Sequence, residues 1–144
     1  MRIQHLAAAV ALAAALGAAG AASADTVRVK LDDSTVIGDV GVACTGIGQT
    51  KNDPKWHAYP VKVEFADAQR AYVSGETVTV SSPKGDELLT VSCEGPWVLL
   101  KLPTGGAYKV QATLSERNTA PESIVVKTPA HGQAEFVITF PDAH

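Results

Sequence analysis

The sequence predicts an all-β fold, an antiparallel β-sandwich of about seven to nine strands, and three observations carry that expectation. Apolar residues recur with period two through much of residues 27–140, the pattern of strands with one buried face. Turn chemistry built on Gly and Pro separates the runs. No window sustains a 3.6-residue period, so helix is a minor component. Many short strands divided by turns pack as a sandwich or a barrel.

The elements follow in order. Val27, Val29 and Leu31 alternate with Arg28, Lys30 and Asp32 and form a first strand. Residues 35–44 read as one less regular strand, and residues 49–55, polar and turn-rich, read as a loop. Val61, Val63 and Phe65 alternate with Lys62 and Glu64. A hairpin follows. Residues 77–81 and 87–93 flank Ser82-Pro83-Lys84-Gly85-Asp86, where Pro fixes one φ and Gly permits a positive one. Trp97 to Leu102 is nearly all apolar, as expected of a strand covered on both sides or crossing the sandwich interior. Pro103 cannot donate to a ladder and Gly105-Gly106 allows a sharp reversal, so a hairpin return is expected from Tyr108, with its ring inward. Tyr108, Val110, Ala112 and Leu114 then alternate strictly, residues 122–128 form a further candidate, and Phe136, Ile138 and Phe140 close the series after the turn at Pro129-Ala130-His131-Gly132.

Export is expected from the N-terminus. Residues 1–5 are polar with one positive charge, residues 6–22 are rich in Ala and Leu, and Ala22-Ser23-Ala24 has the small-x-small form of a signal-peptidase site. A membrane anchor is the alternative, but a run made mostly of Ala and Gly inserts poorly. Cleavage after Ala24 makes residues 1–24 a signal peptide. Residues 25–144 remain as a single β-sandwich domain of 120 residues, placed in the periplasm or outside the cell. The 12 basic residues, less Arg2, leave 11 against 15 acids, a charge of −4. They are scattered singly along the chain, which argues against nucleic acid or an anionic membrane as partner.

Cys44 and Cys93 are the only cysteines. In an exported chain an even count reads as a disulfide, and the alternation puts both sulfurs inward. Closing the 49-residue separation would stabilise the fold by about 4 kcal/mol on the chain-entropy model. A metal or redox pair is the alternative, but there is no C-x-x-C.

Few residues carry chemistry. There is no Gly-x-Ser-x-Gly, and the histidines of the exported chain, His57, His131 and His144, lack metal-ligand spacing. No catalytic residue, cofactor or metal is therefore expected. Asp32, Asp33 and Asp39 lack the alternating oxygens and Gly of a calcium loop and read as a solvated strand end. The one suggestive cluster is "PKWHAYP", with Trp56, His57 and Tyr59. An aromatic group with a histidine could bind a protein, peptide or carbohydrate partner. Alternatively, Trp56 and Tyr59 cap the sandwich as core.

The stretch "VTVSSPKGDELLTVSCEGPWVLLKLPTGGAYKVQATL" resembles the carboxypeptidase regulatory-like family of small transthyretin-like sandwiches. Its members run strand, Gly-containing turn, strand, then Leu-Pro-x-Gly-x-Tyr-x-Val-x-Ala. The resemblance covers residues 61–114 and extends to the last two strands; it departs by one extra Gly at 105/106 and by residues 25–60, and it is to bacterial exported single-domain members of the family. It implies an immunoglobulin/transthyretin-like fold, and fold-level analogy supplies no activity. The function expected of the chain is a non-catalytic exported module, in the bacterial periplasm or outside the cell, that binds or scaffolds a partner. Hydroxyisourate hydrolases share the transthyretin fold and use a first-strand histidine and a C-terminal Tyr-Arg-Gly-Ser. Here "TVRVKL" has no histidine and the chain ends "FPDAH". A hydrolase of transthyretin-like type and a small periplasmic metal-handling protein stand as the alternative functions.

Overall fold

Alternation in the sequence becomes two facing sheets in the computed structural model, which describes residues 25–143. Residues 1–24 and His144 lie outside the described residues, and the expected signal peptide with them. Ten strands form: β1 (Val27–Val29), β2 (Asp33–Ile37), β3 (Val40–Thr45), β4 (Val61–Asp67), β5 (Glu76–Ser81), β6 (Glu87–Cys93), β7 (Trp97–Lys101), β8 (Ala107–Leu114), β9 (Glu122–Lys127) and β10 (Ala134–Phe140). Sheet A has the order β1-β6-β5-β8-β9, and sheet B the order β10-β4-β7-β3-β2. Most pairs are antiparallel. The edge pairs β1–β6 and β10–β4 are parallel. No helix among the described residues is long and apolar enough to cross a membrane.

The tenth strand comes from residues 35–44, expected as one strand. They split into β2 and β3 at Gly38-Asp39, with Ile37 paired to Val40. Gly38 has φ +57° and Asp39 does not have a positive φ, the arrangement in which a two-residue hairpin puts Gly at its first central position. The polar stretch expected as a loop is instead two short 3-10 turns, Gln49–Asn52 and Pro54–Ala58. The hairpin at residues 82–86 forms as expected, with the Ser82 hydroxyl accepting from the Lys84 and Asp86 amides.

The reversal after Leu102 differs from the expected hairpin. β7 lies in sheet B and β8 in sheet A, so residues 102–106 arch between sheets. Gly106 is needed there for close approach: a Cβ on it would fall 2.6 Å from Pro83 Cγ in the hairpin turn. Tyr108 does point inward and is buried.

One continuous core fills the space between the sheets, with Val63, Phe65, Val98 and Phe140 from sheet B facing Val78, Leu89 and Val110 from sheet A. The Cys44–Cys93 disulfide joins β3 to β6 across this core, and both residues are fully buried. β7 is apolar on both faces because both faces are covered. Val98 and Leu100 join the main core, whereas Leu99 belongs to a second cluster on the outer side of sheet B, with Ala43 and Trp56.

Candidate functional site

That outer cluster is where the sequence-predicted site residues lie. Asp53 starts the second 3-10 turn, its carboxylate accepting from the Lys55 amide at 3.0 Å, with Pro54 in the first position. The turn drives Trp56 onto Ala43 and Leu99, leaving it 4% exposed. The indole N–H donates to the Thr50 carbonyl at 2.7 Å, so its polar atom is satisfied as a buried Trp requires. Gln133, just before β10, donates from one amide nitrogen to the carbonyls of Trp56 and Tyr59, at 3.1 and 2.9 Å. From the other side the Thr45 and Thr50 hydroxyls each donate to the Asp32 carboxylate at 2.7 Å. Asp32 is thus a tether holding the first turn to the sandwich, and more than the solvated strand end expected of it.

The three residues of the predicted cluster take different environments. Trp56 is packing. His57 is exposed, and Tyr59 is half-buried with its ring centroid 6.3 Å from that of Trp56. His131 is exposed in the turn before β10, and His144 lies outside the described residues.

Sequence reasoning missed what surrounds them. Four lysines, two from the 3-10 turns and one each from β4 and β7, converge on this face, each with its ammonium over an aromatic ring. Lys62 stands 3.9 Å from the Trp97 centroid, Lys55 4.6 Å from Trp56, Lys101 4.7 Å from Tyr59 and Lys51 6.0 Å from Trp97. Such contacts contribute from about 0.5 kcal/mol when exposed to about 2 kcal/mol when desolvated. Lys62 also pairs with Glu64 at 3.3 Å and Glu135 at 3.0 Å. Among the described residues Lys51, Lys55 and Lys101 have no carboxylate partner within salt-bridge distance. Tyr72, half exposed, sets its ring edge against Trp97. The Trp97 indole N–H is buried without a hydrogen-bond partner. The available signal was the sheet phase, since Lys62, Trp97 and Lys101 all fall on the outward side of β4 and β7.

Two clefts flank the Trp56 plug. One, of about 190 Å³, is lined by Lys51, His57, Lys62, Trp97, Gln133 and Glu135 among others. The other, of about 370 Å³, runs between Lys55, Tyr59 and Lys101 and the start of β2 at Asp33 and Ser34. Among the described residues no group of three or more His, Cys, Asp or Glu is placed to hold a metal.

The most perturbed titratable group lies elsewhere. Glu76, the first residue of β5, continues the inward phase of Val78 and Val80 and is fully buried. Neither carboxylate oxygen has a hydrogen-bond partner. Burial pushes its carboxyl up to about 9, with its own backbone amide opposing the shift. Extending the period-two pattern one step back from Val78 would have placed it inside.

No protein-family model matches the chain, and no curated protein matches it.

Proposed function

We propose that the protein is a non-catalytic, exported β-sandwich module that binds a partner across the outer face of sheet B. The observation that carries this reading is the fixed presentation of the 3-10 segment. Trp56, Asp32 and Gln133 hold it against the sheet, so that His57, Tyr59, Lys51 and Lys101 are displayed along two clefts. Binding residues concentrate on connections positioned by a rigid scaffold, and aromatic and cationic side chains supply most of the anchoring energy at interfaces. Trp56 serves as the support of the site and not as its contact. The disulfide fits an oxidising compartment. Kinship with the carboxypeptidase regulatory-like family belongs to the same proposal, and "LPTGGAYKVQA" is what supports it.

A second mode is favoured by one observation. Val36 is 72% exposed on β2, an edge strand of sheet B, and a free edge can accept a partner strand. Substitution separates the two. His57→Ala with Lys101→Glu changes two exposed side chains and should move stability by no more than about 0.5 kcal/mol each. It should nonetheless abolish capture of a partner from an extract of the compartment where the protein resides. Capture that survives this pair but is lost in Val36→Pro would move the site to the β2 edge. Survival in both variants would refute binding on sheet B.

A further inference from the structure

At one end of the sandwich the inward side chains of sheet A form a row across four strands: Val29, Cys93, Glu76 and Leu114. Cys93 and Glu76 are directly opposed on antiparallel strands, which places their Cβ atoms about 4.5–5.5 Å apart. Both are fully buried. Cys93 is bonded to Cys44 on β3, so one member of the row is covalently fixed to the facing sheet. Its neighbour is a carboxyl with neither oxygen bonded.

Apart from its own backbone amide, nothing around Glu76 compensates a charge. The inward positions of β1, β6 and β8, and of the facing β3, β7 and β4, are apolar apart from the cystine and Tyr108 at the far end of β8. Asp33, opposite Cys44 on β2, is exposed. Arg28 and Glu94 pair with each other at the rim, and Glu116 and Arg117 are exposed there. None of these bonds Glu76. A neutral carboxyl can be tolerated in such a place, whereas a carboxylate without a partner cannot stay there cheaply.

We propose that the Cys44–Cys93 disulfide and the Glu76 carboxyl form a two-part latch: either an intact disulfide or a protonated Glu76 keeps this end of the sandwich closed, and it opens only when the disulfide is reduced and the carboxyl ionised. The reduction is a two-electron step. A dithiol reductant supplies two electrons and two protons and becomes its own disulfide, while Cys44 and Cys93 become two thiols. The second step is loss of the Glu76 proton to solvent base. The high affinity of Glu76 for its proton, with its pKa near 9, sets the range in which this happens. Across that range the closed state weakens by up to about tenfold per pH unit. The oxidised chain tolerates the loss, because the cross-link spans 49 residues and restricts the open ensemble. The uncross-linked chain has no such reserve.

The test uses the chain from residue 25 in three forms: oxidised, Cys44→Ala/Cys93→Ala, and that double variant with Glu76→Gln added. Urea titrations followed by circular dichroism at pH 5 and pH 9 read the folding equilibrium. The oxidised chain should be folded at both pH values. The double variant should be folded at pH 5 and lose at least roughly a hundredfold in its folding equilibrium at pH 9. Adding Glu76→Gln should cut that loss to less than about threefold, because the group that titrates is gone. The proposal is overturned if the double variant is already unfolded at pH 5, since the disulfide alone would then decide. It is equally overturned if the pH dependence is the same with Glu76 and with Gln.

Discussion

On sheet A the outward positions of β5 and β6 are Thr77, Thr79, Thr90 and Ser92, and hydroxyls there bond to one another, as Thr79 and Thr90 do at 3.1 Å. On sheet B the corresponding positions of β3 and β7 are Ala43, Leu99 and Trp97, and a separate segment is laid over them. The first face carries short polar side chains whose hydroxyls find partners beside them, Thr77 pairing with Ser115 at 2.8 Å and Thr90 donating to Glu87. The second would expose an apolar patch if the Trp56 segment were absent. Exposed patches of that kind are normally covered or used for interaction; on sheet B the Trp56 plug covers the centre, with lysines and the exposed His57 around it. One sandwich thus has a plain face and a worked face, and the candidate site belongs to the worked one.

The largest expected break in that comparison comes from Trp56→Ala. It empties the plug and should cost about 3–5 kcal/mol, the usual range for a buried Trp, read as a lowered urea midpoint. The inner faces differ as well, since sheet A alone carries a carboxyl in its core. Glu76 has a folded value near 9 against an ordinary 4.5. Its contribution is therefore fully present below about pH 4.5 and is lost as pH rises toward 9, at up to about 1.4 kcal/mol per unit. Glu76→Gln should raise stability at pH 7 by about 3 kcal/mol and flatten the slope between pH 5 and pH 9. Urea titrations at several pH values check both. A smaller effect follows from Thr50→Val, which removes one of two hydroxyls from Asp32. It should cost about 1 kcal/mol and speed amide exchange in residues 49–58. The smallest comes from the plain face: Thr79→Ala should stay within about 0.5 kcal/mol of the parent.

The buried sides of both sheets were legible, β4 and β10 of sheet B by the same alternation as the strands of sheet A. Strict alternation in β5, β6 and β8 follows from one dry side and one wet side, so period two identified both strand and phase. The apolar run of β7 allowed a strand covered on both sides or one crossing the sandwich interior, and the structure shows the first. What covers it could not be read. Residues 49–58 show no periodicity, and Trp56, His57 and Tyr59 look alike as a cluster until a 3-10 turn sends one ring inward and leaves the histidine out. The lysines were misleading for a related reason. Lys62 and Lys101 share this face only after β4 and β7 pair, and Lys51 and Lys55 join them only when the 3-10 segment packs over the sheet. The hairpin expected after Leu102 failed because Pro103 and Gly105 specify a reversal without specifying which sheet receives the next strand. The pairing of Cys44 with Cys93 was recoverable from the even cysteine count together with phase, since each falls on the buried side of its strand.

The central claim is that the Trp56 segment is part of the fold, seated on the outer face of sheet B, and holds the candidate site in place. A double-mutant cycle between Trp56→Ala and Leu99→Ala tests it most directly, because the two side chains belong to the same outer cluster on opposite sides of that contact. Urea unfolding of the two single variants and the double variant should give a coupling energy of about 1 kcal/mol or more, as packed neighbours do. Additivity within about 0.3 kcal/mol would mean that the segment is not seated on the sheet, and would contradict the account.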